Sequence, residues 1–187
     1  MYFFTAVSDE IQPTRVAFHR LSRTKHLVLG AVFASLAALF QAAGGMLPII
    51  GYLISPLATA PLLLCSMLSI GLGCIAYLLA NLLLLILQPS ELIVFPFTTG
   101  LLGLGIGASF YFFKKRLSII ISGASLLTAG IAILLYGFKF PVLGPSVSGT
   151  FSYPVFGCIF LFSFFYSWIW VEAGLLYLKR LKTIIAS

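Results

Sequence analysis

HLVLGAVFASLAALFQAAGGMLPIIGYLISPLATAPLLLCSMLSIGLGCIAYLLANLLLLILQPS, residues His26 to Ser90, contains no Asp, Glu, Lys or Arg. A water-facing surface cannot be built from such a run, because exposed apolar area on that scale drives association. A bilayer can accept it. One helical crossing takes about 20 apolar residues, so the run has room for three crossings and their turns. Gly and Pro mark where it divides. AGGMLPIIG, Ala43 to Gly51, separates a first helix (Leu27 to Ala43) from a second (Tyr52 to Met67). SIGLG, Ser69 to Gly73, opens a third, which runs to Leu87 before QPSE.

The remaining chain continues the pattern. A fourth helix over Ile93 to Phe113 stops at KKR, a fifth covers Leu117 to Tyr136, and a sixth from Val155 to Leu178 stops at KR. Over all 187 residues, 61% are hydrophobic and 8% charged, with a mean hydropathy of +1.15. The expected fold class is an all-α polytopic membrane protein with six transmembrane helices. Residues 1–26 read as an N-terminal tail, 27–178 as the transmembrane domain and 179–187 as a C-terminal tail. A cleaved signal peptide is not expected, because the polar lead is long and small residues fill the first run rather than only its end.

Pro56 and Pro61 make the second helix ambiguous between a kinked span and a re-entrant segment, since proline removes a backbone donor that lipid cannot replace. Charge parity decides. Arg15, Arg20, Arg23 and Lys25 place the N-terminus in the cytoplasm by the positive-inside rule, and Lys114, Lys115 and Arg116 belong there too. An even number of crossings must separate the two groups, so the second helix crosses. Lys179, Arg180 and Lys182 then also fall inside, and both termini are cytoplasmic. The formal net charge of +7 is explained by these flanks, so no nucleic-acid partner is expected. No internal repeat is evident.

Catalytic motifs are lacking. Both histidines, His19 and His26, precede the spans, and neither HExxH nor GxSxG occurs. Without G-x-x-x-x-G-K-[ST] the chain has no P-loop with which to power transport. No catalytic residue, metal site or cofactor is assigned, and enzymatic activity is not expected. Cys65, Cys74 and Cys158 lack metal-ligand spacing and read as small buried hydrophobes. Glu172 stands inside the sixth helix, either contacting a partner or pairing within the bundle. Gln41 and Asn81 are the other polar candidates, each able to tie neighbouring helices. Aromatics crowd the sixth helix, as in a pocket wall or in a lipid-facing belt. The loop after the fifth helix, GFKFPVLGPSVSGTFSYP, suits either a lid or a passive connector.

Small residues form the clearest pattern. Gly100, Gly103 and Gly107 share a face of the fourth helix, and Gly123, Ala124, Ala129 and Gly130 mark the fifth. Gly30, Ala34, Ala38 and Ala42 recur every four residues along the whole first helix. Such rows mark surfaces that pack closely against protein.

Six spans, both ends inside, no ATPase motif and an alanine row on the first helix resemble the substrate-binding S components of energy-coupling factor (ECF) transporters. Ala34 and Ala38 match that group's AxxxA motif, and Ala38 with Ala42 gives a second copy. The resemblance implies uptake of a small vitamin-like micronutrient across a bacterial cell membrane. It also implies docking through Gly30, Ala34, Ala38 and Ala42 onto a transmembrane coupling protein with ATPase subunits. The substrate pocket would open outward, with Gln41, Asn81, Glu91, Lys139 and Tyr153 as its polar contributors. The short GGMLPIIG turn departs from the long first loop common in that group. Two other readings stay open: a non-transport assembly protein using the first-helix row, and an independent small permease or channel.

Overall fold

The computed structural model describes residues 8–20, 22–47, 49–142, 144 and 152–186, with backbone alone for 8–11, 13, 17 and 181–186. Helix α1 (Ser8–His19) precedes α2 (Arg23–Met46), the first span. The second span is interrupted: α3 (Ile50–Ile54), a 3-10 turn (Ser55–Ala58), then α4 (Thr59–Leu68). α5 (Ile70–Leu87) is continuous, and the fourth span breaks again into α6 (Glu91–Val94), a 3-10 turn (Phe95–Phe97) and α7 (Thr99–Phe112). α8 (Arg116–Ala132) ends in a π-helical turn (Ile133–Gly137), and α9 (Tyr153–Ala186) forms the sixth span. Among the described residues there is no strand, and six helices are long and apolar enough to cross a membrane.

Two serines set helix starts that the apolar pattern alone places differently. Ser22 accepts the Lys25 backbone N–H at 3.5 Å and starts the first span at Arg23. Ser69 accepts the Leu72 N–H at 3.4 Å and separates α4 from α5 with one extended residue. Short connections make sequence neighbours antiparallel. One end of the bundle therefore gathers Arg23, Leu68, Phe112 and Arg116, and is called here the basic end. The other gathers Met46, Ile50, Leu87 and Glu91, and is called the Glu91 end.

Pro56 and Pro96 each sit in a 3-10 turn that breaks a span. The first break is a kink of the expected kind. The second was not expected: Pro96 lies in a helix read as continuous from Ile93. At each break a tyrosine from a neighbouring span reaches the proline carbonyl. Tyr166 donates to Pro56 at 3.4 Å, and Tyr77 donates to Pro96 at 3.0 Å. Irregular backbone inside lipid needs partners of this kind. Pro56 and Pro96, Thr59 and Thr99, and Gln41 and Asn81 stand in each case 40 residues apart. The first four spans thus repeat one pattern, an unbroken helix followed by a broken one.

Close packing follows the small residues. A Cβ on Gly107 would meet the Ser66 hydroxyl, and one on Gly130 would meet the Phe97 carbonyl. Ser66 donates to the Leu62 carbonyl at 2.7 Å and lies 3.1 Å from the Gly103 carbonyl across the interface. The row on the first span is also consumed internally, which corrects its assignment as a docking face. Gly30 presses against Leu72 of α5. Ala34, Ala37 and Ala38 are fully covered and Ala42 nearly so, between α5 and the second span. Without an accessible alanine surface, these residues offer no free face to a second protein.

The segment read as an N-terminal tail holds α1, which lies across the basic end. Arg15 donates from Nε to the Met67 carbonyl at 2.8 Å, in the last turn of α4, and its guanidinium sits 3.4 Å above the Tyr111 ring. That carbonyl is one of the acceptors a helix C-terminus leaves unpaired, and a cation there also opposes the helix dipole. Burial lowers the Arg15 pKa from its ordinary value, while the neighbouring Tyr111 acts in the opposite direction. Phe18 is buried beneath the strap, and the His26 ring nitrogen lies 2.9 Å from the Phe18 carbonyl.

Candidate functional site

At the Glu91 end, two spans contribute to one polar cluster. Gln41, near the end of α2, donates its amide to Glu91 Oε2 at 2.8 Å, and Thr99 donates its hydroxyl to Gln41 Oε1 at 2.7 Å. The carboxylate only accepts and the hydroxyl donates here, so the two partners fix the orientation of the amide. Gln41 itself is 2% exposed. Glu91 opens α6 after the QPSE turn, and Thr99 opens α7 after the break, so the broken span sets both residues beside α2. Gly44 leaves space alongside. A Cβ there would stand 3.1 Å from the Ser55 Cβ and 3.5 Å from Glu91 Oε1.

Glu91 is half-buried, and among the described residues its carboxylate meets an amide rather than a cation. The arrangement offers acceptor capacity at a membrane interface, suited to a solute carrying hydrogen-bond donors or positive charge. No nucleophile faces a general base in it.

Of the five proposed pocket residues, only Gln41 and Glu91 come together. Asn81 turns to its own helix, donating to the Tyr77 carbonyl at 2.8 Å. That bond supports the tyrosine that braces the second break. Lys139 follows the π turn with φ 53° and an exposed side chain, and Tyr153 is 83% exposed at the start of α9. Neither reaches the cluster. The central part of the loop read as a lid, residues 143 and 145–151, lies outside the described residues. Thr99 was missed because a threonine in an apolar span is unremarkable. Its one signal is its place three residues after a mid-span proline, shared with Thr59.

Glu172 pairs within the bundle, 3.3 Å from Arg116 at the start of α8. Cys65 is buried as expected, whereas Cys74 and Cys158 lie on exposed faces of their helices. Phe156, Phe160 and Phe165 point outward, and Trp170 is the aromatic of α9 that enters the core. The outward aromatics and the exposed Leu39, Leu78, Leu82 and Ile86 form an apolar exterior of the kind lipid covers.

The fold and its exterior define the class: an all-helical, multi-pass membrane protein. No family profile, curated protein or solved structure matches the chain.

Proposed function

We propose that this chain is the solute-binding membrane subunit of an uptake system, capturing a small polar molecule at the Glu91 end. The observation that carries the reading is the Gln41–Glu91–Thr99 cluster, in which polar side chains of two spans meet at one end of an otherwise apolar bundle. A micronutrient-sized solute, a bacterial plasma membrane, and separate coupling and ATPase subunits follow from the resemblance to ECF S components and from the lack of a P-loop. Since the first-span alanines are covered, such a partner would dock on another face. The same burial removes the basis for an assembly protein working through that row.

The test is retention. Protein purified from its native membrane is denatured, and the released small molecules are identified by mass spectrometry. One compound in near-stoichiometric amount, held by the wild type and reduced at least tenfold in Gln41→Ala and Glu91→Gln, supports the reading. No retained compound, or equal retention by the variants, overturns it.

A further inference from the structure

Buried hydroxyls in this bundle fall into two groups. Ser66, Thr98 and Ser109 each donate to the carbonyl four residues earlier, at 2.7, 2.8 and 2.7 Å. Ser163 and Ser167 of α9, Thr128 of α8 and Thr59 of α4 do not. All four are buried, three of them completely, and their hydroxyl oxygens have no partner. Unpaired polar groups are costly in an apolar interior, and in native proteins they mark places filled by water or a ligand.

These hydroxyls lie on α9 and on two elements, α8 and α4, that pack against it. Ser163 and Ser167 are one turn apart on the same face of α9, at the middle of the Tyr153–Arg180 span. Ser167 faces Gly123 of α8, where an added Cβ would stand 3.1 Å from the hydroxyl oxygen and 2.7 Å from Ile106 Cγ1, so the glycine lets α8 pack close to the serine. α8 runs antiparallel to α9, which brings the Thr128 level toward Ser163. On the other side, Thr59 and Trp170 stand beside the Tyr166 phenol without reaching hydrogen-bonding geometry. The phenol itself makes only a long bond to the Pro56 carbonyl.

We propose that this seam between α4, α8 and α9 is a buried site for neutral hydrogen-bonding groups. Its occupant is either water or the hydroxyl or amide of a bound solute. The site is separate from the Glu91 cluster, and it stands or falls independently of the uptake reading.

Radiolytic hydroxyl footprinting of the purified wild-type chain, in buffer without added solute, tests it. Bound water beside Trp170 makes its oxidation at least fivefold faster than that of Phe95, which is fully buried and serves as the dry reference. Ser163→Ala with Ser167→Ala then reduces Trp170 labelling at least threefold. If Trp170 is unlabelled but a polar compound is released on denaturation, and the double variant loses it, the occupant is a solute. Trp170 as inert as Phe95 with no compound lost, or labelling unchanged in the double variant, overturns the proposal.

Discussion

Gln41 is a single amide on which two other side chains depend. Replacing it with Ala leaves the Glu91 carboxylate and the Thr99 hydroxyl without their partner. That breaks one bond to a carboxylate and one neutral bond, about 2–3 kcal/mol, whereas Thr99→Val breaks the neutral bond alone and strands Gln41 Oε1, about 1–2 kcal/mol. Thermal unfolding in detergent should rank the two in that order. Two glycines give a sharper contrast. Gly130→Ala drives a methyl into the Phe97 carbonyl and should destabilise strongly, while Gly157 has nothing within 4 Å of an added Cβ. Gly157→Ala should therefore stabilise by about 0.5–1 kcal/mol, the usual gain of alanine over glycine inside a helix. The same assay reads both.

Elements show where sequence reasoning succeeded and where it stopped. Six apolar runs and their Gly/Pro punctuation locate the spans, because lipid forces every backbone group into a helix. The break at Phe95–Phe97 escaped notice because Pro96 lies close enough to a helix start to look harmless. The 40-residue recurrence escaped because it preserves the position of a break and not the residues around it. Gln41 and Glu91 are expected together among the polar contributors of one pocket, but a set of polar residues does not say which way Asn81 turns. The alanine row was read correctly as a close-packing face and wrongly as an external one, since a small-residue stripe does not reveal its occupant. Ala34→Leu and Ala38→Leu should now each cost about 1–3 kcal/mol through overpacking, measured as a lowered unfolding temperature. Unchanged stability would mean the row is free after all. The α1 strap can be probed with a native residue. Cys65 lies two residues before the carbonyl that Arg15 holds. Arg15→Ala, with Cys74 and Cys158 replaced by Ala, should speed maleimide modification of Cys65 severalfold. Equal rates would show that the strap does not shield it.

For the whole molecule, an even number of spans puts both ends on one side. The positive-inside rule predicts that this side is the cytoplasm. Reporter fusions that work only in the cytoplasm should be active at both termini, and activity at one alone would break the six-span topology. α8 and α9 are joined at the basic end by Arg116 and Glu172, whose side chains are 12% and 26% exposed. Glu172→Gln removes the carboxylate from beside a mostly buried guanidinium and should cost about 2 kcal/mol, less than for a fully buried pair. Arg116→Met combined with Glu172→Leu should recover most of that loss in a double-mutant cycle, because the charge is removed along with its partner.

The length of α9 has a mechanical consequence. Its 34 residues extend about 50 Å at ~1.5 Å per residue, against a hydrocarbon layer of about 30 Å. Glu172 is clamped level with the start of α8, so residues 173–186 run on for about 20 Å beyond that clamp. Leu175 and Leu178 stay buried beyond that pair, so the bundle holds the helix on both sides of it. Any tilt about the pair moves the far end of α9 by a distance comparable to its near end, since about 28 Å of helix precedes Glu172, and a spin label at Arg180 would register it.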